Sequence, residues 1–402
     1  MTGDQDIWII GASMTKFGRF PDLDLLDLAS DAAMSAIRDA DTDLGKVGVL
    51  TMGNVYEASS NNGQRLQKQI GQTGIPVYNV VNACATGATA VRVAMLSLLG
   101  GESDMALAVG VEQMGKMGLL GGAAKGKPAK KEFTPKGRYG SAVKTEGVLG
   151  TGLMPGVFAQ AGTQYALANG VTAEQFAKVA QKNHAHSTLN PLAQYRKEFS
   201  LEEILAADVI SWPNTLPMCC PTGDGASALV LTTGAKLRTL DPDVQRRAVK
   251  ISASVLTSDP WVAGGQVQPD VNTLTRQAAD KAYEQAGIGP ADLNLVELHD
   301  CFATAELIHY DNLRLCEPGG AGDFIDSGAP WRDGRTPVNV SGGLLSKGHP
   351  IGATGVANLY EVATHLRGEA GDRQIPGARV GLTHVIGLAS ACAVHILEAR
   401  VA

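Results

Sequence analysis

Cys84 stands between the run Val77-Tyr78-Asn79-Val80-Val81, which has strand composition, and Ala85–Leu99, which opens on small residues and continues with an apolar repeat. The pattern predicts a strand, a sharp turn and a helix, with the thiol at the helix N-terminus. The positive end of the helix dipole lowers a thiol pKa there and favours the nucleophilic thiolate. Taken alone, Cys84 also reads as a small buried residue packed beneath a helix. His349 lies in SGGLLSKGHPIGATG (341–355), whose glycines let backbone approach a ligand closely. An imidazole that takes the thiol proton makes Cys84 a nucleophile toward a carbonyl carbon. The alternative for His349 is a histidine satisfied by hydrogen bonds within its loop. A third segment, LVELHDCFA (295–303), ends a buried-looking strand in His299, Asp300 and Cys301. Titratable groups at the C-terminal end of a strand are where α/β ligand sites form. Cys301 can act as an acid/base thiol, and His299 can hold a water or donate to an oxyanion. The alternative is a capping Asp300 with two incidental neighbours. In GLTHVIGLASA (381–391), the N–H of Gly387 can join that of Cys84 in an oxyanion hole, while His384 by itself reads as structural. The adjacent Cys219 and Cys220 read as packing residues, because neighbours in sequence rarely bond each other or chelate one zinc.

Strand-like and helix-like stretches alternate at both ends of the chain: Ile7–Ile10, 25–40 and Val47–Met52, then Lys250–Val255, 272–287 and Leu293–Leu298. That alternation predicts an α/β protein. An internal repeat orders it. Residues 29–40 match 275–286, with Ala32, Ala33, Ala36 and Ala40 falling on Ala278, Ala279, Ala282 and Ala286. Residues 84–90 match 349–355, with Gly87, Ala88 and Thr89 falling on Gly352, Ala353 and Thr354. This alignment lays Cys84 on His349. Two similar halves packed face to face then bring a thiol corner and an imidazole corner together. The expected units are 1–115 with 205–245, an inserted segment 116–204, and 246–402. GDGASALVLTT (223–233) is expected to turn into the strand that closes the first half.

With 402 residues, 44% of them hydrophobic and 18% charged, the chain suits two or three core-forming units and not a disordered one. A net charge of −6 argues against nucleic acid as the main partner. No apolar run is long enough for a membrane span, and the acidic start leads directly into a strand, unlike a signal peptide. Six scattered cysteines form neither a disulfide framework nor a CxxC metal pair, so no metal and a reducing, cytoplasmic setting are expected. Residues 113–170 are rich in Gly, Met and Lys and read as loop-rich with some helices. The lysines Lys125, Lys127, Lys130 and Lys131 there are either simply solvated or face a phosphate-bearing ligand.

These residues together resemble the thiolase superfamily, over essentially the whole chain. NACATGATA (82–90) is similar to the family's nucleophile turn, and GHPIGATG (348–355) to its histidine motif. His299-Asp300-Cys301-Phe302 replaces the more usual Asn-Glu-Ala-Phe and resembles the sterol-carrier-protein-2-type branch, in which this cysteine supplies the acid/base thiol. That branch usually has His-Asn-x-Gly-Leu-Gly-Gly near its C-terminus. Here Val385 replaces the Asn, and Ala389 and Ser390 replace the two glycines, all on the expected oxyanion-hole wall. The resemblance implies an α/β, five-layer αβαβα fold of two βαβαβαββ halves, with a loop-rich insertion in the first half covering coenzyme A. It implies that Cys84 takes the acyl group of a 3-oxoacyl-CoA, that Cys301 protonates the leaving acetyl-CoA carbanion, and that CoA then collects the acyl group. The reverse is a Claisen condensation. His349 activates Cys84, a water near His299 helps hold the enolate oxygen, and the N–H groups of Cys84 and Gly387 bind the thioester oxygen. CoA is a co-substrate, no cofactor is permanently bound, and homodimers or homotetramers are expected.

Three other readings remain open at this point. Some proteins of this fold and branch are aldolases on CoA-ester side chains that work with a small partner protein, but their sites tend to lose the nucleophilic cysteine. A non-catalytic CoA-ester or lipid-binding homologue is the second. A decarboxylating condensing enzyme is the third, which the cysteine at 301 argues against.

Overall fold

The structure is a computed structural model that describes residues 3–115, 136–137, 140–141, 153–258, 260, 271–388 and 391–400. Its frame is a nine-stranded sheet. The strands are β1 (Ile7–Met14), β2 (Val49–Gly53), β3 (Val77–Val80), β4 (Met105–Gln113), β5 (Asp224–Thr233), β6 (Val249–Thr257), β7 (Leu295–Glu297), β8 (Val380–Gly387) and β9 (Ala391–Ala399). In space they run β7-β8-β9-β6-β1-β5-β4-β2-β3. β1 and β6 meet antiparallel at the centre, with Ile7 opposite Ile251.

Outward from that seam the two sides follow one rule. β1–β5 and β5–β4 are antiparallel, and β4–β2 is parallel. β6–β9 and β9–β8 are antiparallel, and β8–β7 is parallel. Beyond β2 lies parallel β3, and beyond β7 a parallel bridge from Val296 to Val338 marks the equivalent place. The repeat read from the alanines and from the Gly-Ala-Thr segments is therefore a repeat of topology.

Helix α1 (Leu25–Asp39) is capped by Asp24 and Asp27 in a reciprocal box and packs on β1, β5 and β4. Its counterpart on the other side of the sheet is the helix Val271–Ala286, which packs on β6 and β9. The repeated alanines face the strands: Ala32, Ala33, Ala36, Ala278, Ala279 and Ala282 are all buried. They let helix and sheet approach closely; a Cβ on Gly11 of β1 would lie 2.2 Å from the Ala36 carbonyl oxygen.

The two remaining helices of the frame, Thr86–Leu99 and Ile351–Arg367, pack on each other between the two sheet halves. Helix, sheet, paired helices, sheet and helix make five layers. The paired helices cross where side chains are missing. A Cβ on Gly87 would lie 2.7 Å from Gly352 O, and one on Gly355 would lie 2.2 Å from Ala88 N. The glycines of the two matching motifs thus set how close their N-termini come. In the inserted segment, helices Leu153–Asn169 and Ala173–Ser187 pack on the helix Ala303–Asn312 that follows Cys301.

Candidate active site

The Cys84 turn is held by its own chain. Ala83 takes a left-handed conformation (φ +46°), a costly one for a residue with a Cβ. The Thr86 hydroxyl donates to Ala83 O at 2.6 Å and accepts the Asn82 N–H at 2.7 Å. Cys84 is buried just before the helix that starts at Thr86. The dipole argument predicts a lowered thiol pKa, and the structure overturns it. Burial pushes the thiol up to about 12, with the nearby Glu112 carboxylate adding to the rise. The N–H groups of Cys84 and Leu388 at the sulfur oppose this without overcoming it. Taking a thiolate out of water costs more than a helix end returns. The resting nucleophile is a thiol.

His349 follows at the second corner. Its Nδ1 lies 2.7 Å from Thr354 Oγ1, and that hydroxyl is 2.9 Å from Pro350 O. Thr354 has one proton, which goes to the carbonyl, so His349 Nδ1 donates and Nε2 carries the free lone pair. His349 Nε2 is buried with no hydrogen-bond partner. Burial and then the Lys347 charge lower the imidazole to about 3, so it is neutral. The first corner repeats the device: Thr89 Oγ1 donates to Ala85 O at 2.8 Å and accepts from Asn82 Nδ2 at 3.0 Å.

Three expected site residues come together. Cys84 Sγ and one ring nitrogen each of His299 and His349 lie within 4.8 Å of one another, all buried. The two imidazoles meet edge to face at 5.1 Å, and Phe158 from the inserted segment is 6.3 Å from the His299 ring. His299 is held far below its usual pKa by burial and by His349 and His384. Cys301 is buried in the same region, its thiol pushed well up by burial and then by Cys220 and Cys84. Its carbonyl accepts the Cys220 N–H at 3.0 Å.

Asp300, between His299 and Cys301, is a clamp. It accepts Leu344 N–H at 2.6 Å, Leu345 N–H at 3.2 Å and Asn183 Nδ2 at 2.7 Å. This carboxylate fastens the Cys301 turn to the loop that leads into His349. Gly343 there has φ +59°, and a Cβ on it would meet the Asp300 carboxylate at 2.0 Å. Asn183 also donates to Glu306, which pairs with the buried Lys182 at 2.9 Å. A second buried carboxylate, Glu112 at the end of β4, accepts N–H groups of Val55, Tyr56 and Gly352 and the Asn54 amide. It ties the first half to the start of the His349 helix.

Gly387 packs its Cα on the nucleophile turn; a Cβ would lie 2.9 Å from Asn82 O. Val385 sits in the same apolar cluster as Cys84, Ala85 and Ile351, so this departure from the usual Asn dries the thiol's surroundings. His384 is structural: Nδ1 faces the His299 N–H at 3.4 Å and Nε2 the Thr275 hydroxyl at 3.4 Å. Ala389, Ser390 and the lysines Lys125, Lys127, Lys130 and Lys131 lie outside the described residues. A cavity of about 660 Å³ is lined by Phe199, Leu216, Cys219 and Cys220, with Arg196 and Lys197 also on its wall. Cys219 and Cys220 pack against the core on one side and line this cavity on the other.

Residues 7–204 match the family model described as the thiolase N-terminal domain, and residues 266–399 the one described as thiolase C-terminal domain-like. The chain belongs to the thiolase family. It is 37% identical over 398 residues to sterol carrier protein 2 of Bos taurus, covering 98% of this chain and 72% of that protein. It is 32% identical to acetyl-CoA acetyltransferase of Methanothermobacter thermautotrophicus, covering 98% of this chain and 100% of the relative. Its fold is that of the structure described as Ltp2-ChsH2(DUF35) aldolase, with TM-score 0.78, 22% identity and 98% of each chain covered.

Sequence reasoning about this thiolase missed Thr354, Glu112, Leu388 and Cys220 as parts of the site. Thr354 had a visible signal, the match of Thr89 to Thr354 across the repeat. The other three are brought in by pairing between segments far apart in the chain.

Proposed function

We propose that this thiolase-family chain is an acyl-CoA acyltransferase that cleaves 3-oxoacyl-CoA with CoA, or runs the reverse condensation, through an acyl-Cys84 intermediate. The observation that carries this reading is the buried trio of Cys84, His299 and His349 with a free Nε2 on His349. The proton on Cys84 passes to His349 Nε2 as sulfur attacks the 3-oxo carbon. The C2–C3 bond breaks, its electron pair stays on the acetyl-CoA fragment as an enolate, and the acyl group stays on sulfur. His349, now an imidazolium, and the His299 side donate to the enolate oxygen, and Cys301 protonates its carbon. The CoA thiol then attacks the acyl-Cys84 carbonyl and restores the thiol. Because the resting site holds thiol and neutral imidazole, charge appears only as substrate reacts, and fixed donors at that point carry most of the rate enhancement. The N–H groups of Cys84 and of Gly387 or Leu388 are the donors for the thioester oxygen.

The cavity that ends at Cys219 and Cys220 is the proposed route for the thioester, with Arg196 and Lys197 meeting its phosphates. Strand β3 ends the sheet with Tyr78 and Val81 exposed beside it, which supports a homo-oligomer. Initial rates against both substrates test the intermediate. Parallel double-reciprocal lines, the mark of a ping-pong sequence, are expected. Intersecting lines contradict a free acyl-enzyme.

A further inference from the structure

The trio has a coordination chemistry of its own. One cysteine sulfur and two imidazole nitrogens, all within 4.8 Å of one another, are the donor types and number of an open zinc site. His349 Nδ1 is occupied by Thr354, which leaves Nε2 as its ligating atom, and Nε2 is buried and unpartnered. His299 Nδ1 is also buried without a partner. Thr354 orients the His349 ring from behind, as outer-sphere hydrogen bonds do for ligating histidines. Zinc–nitrogen bonds of about 2.0–2.1 Å and a zinc–sulfur bond of about 2.3 Å place tetrahedral ligand atoms about 3.3–3.6 Å apart, so side chains whose ligand atoms lie within 4.8 Å of one another close on the metal by rotamer adjustment.

We propose that Cys84, His299 and His349 also form a binding site for a thiophilic divalent cation of the zinc class, and that metal and acyl group exclude each other at Cys84. Binding forms a sulfur–metal bond and releases the Cys84 proton to solvent. Two imidazoles complete three protein ligands, and a water keeps the fourth position. The exclusion rests on the acyl-Cys84 reading; the binding does not.

The probe is cobalt(II), which takes zinc-type sites and gives an absorbing thiolate-to-metal band. The full chain, kept reduced with a non-thiol reductant, is titrated with cobalt and then displaced with zinc. One equivalent of cobalt, one thiolate band and one proton released per metal are expected. Cys84→Ser should abolish the band, and His299→Asn and His349→Asn should each weaken binding at least tenfold. Cys316→Ser, remote from the trio, should leave the band unchanged. Should a variant fail to fold, alkylation of Cys84 in the wild-type chain serves instead and should remove the band. No band at one equivalent, or a band that survives in Cys84→Ser or after alkylation, overturns the proposal. An acyl adduct on Cys84 without a cobalt band defeats only this inference. A cobalt band without an adduct defeats only the acyl-enzyme reading.

Discussion

The Thr354 hydroxyl bridges His349 Nδ1 at 2.7 Å and Pro350 O at 2.9 Å, and so fixes which nitrogen of His349 faces Cys84. Removing the hydroxyl frees the other tautomer. Thr354→Ala should lower kcat roughly tenfold to a hundredfold, about 1.4–2.7 kcal/mol of barrier, with little change in KM. Thr354→Ser keeps the hydroxyl and should recover most of the rate. A fall in stability without a fall in kcat would remove Thr354 from the site.

The Asp300 clamp should be sensitive to a single atom. Asp300→Asn turns one acceptor into a donor facing N–H groups, and a buried N–H left without its acceptor costs roughly 1–3 kcal/mol. Both the melting temperature and kcat/KM should drop. Gly343→Ala should be worse, because its Cβ would lie 2.0 Å from that carboxylate at a backbone angle of φ +59°. A Gly343→Ala protein of wild-type stability and activity would contradict the clamp.

Cys84 should behave as an ordinary, hard-to-ionise thiol. Its pKa, pushed up to about 12 by burial and by Glu112, predicts an iodoacetamide rate that climbs through pH 6–9 without a plateau. Glu112 is itself raised to about 7 by burial. Glu112→Gln removes the neighbouring negative charge, so alkylation at pH 8 should become faster. A plateau near neutral pH would show a stabilised thiolate.

Acid should unfold the protein early. The chain has 8 histidines. All eight are held below their usual pKa, with burial the largest cause: His184, His186, His299 and His384 in direction, His365 to about 4, and His309, His349 and His395 to about 3. Below about pH 6.5 the unfolded chain binds protons that the folded chain refuses. The stability is complete above that pH and is lost as pH falls toward about 3, at about 1.4 kcal/mol per histidine per pH unit. The four held at about 3 to 4 alone rival the whole stability of an ordinary domain within about two pH units. Circular dichroism against pH should show cooperative unfolding between about pH 6 and 4. Retained native signal at pH 4 would contradict it.

Much of this site was legible because its chemistry lies in short linear segments. Cys84, His349 and His299–Cys301 each stand at the end of a strand or the start of a helix, and the Gly-Ala-Thr match located the two corners that the helix crossing brings together. The alanine match marked a packing face. What the sequence hid depends on distant partners. The thiol pKa shifts up rather than down because Val385 of β8 and Glu112 of β4, distant in the chain, come to lie around Cys84. The clamp at Asp300 needs Leu344, Leu345 and Asn183, which no local pattern links to it. The basic residues on the cavity are Arg196 and Lys197, which sit in an unremarkable polar stretch, whereas the conspicuous lysine run drew attention in the sequence.

The central claim is a covalent acyl group on Cys84. The direct measurement is peptide mass spectrometry of the intact chain incubated with acetoacetyl-CoA and no free CoA, then digested. The account predicts a two-carbon adduct on the Cys84 peptide that disappears when CoA is added and is absent in Cys84→Ser. No adduct on that peptide with either short or long 3-oxoacyl-CoAs, from folded protein, would contradict the acyl-enzyme.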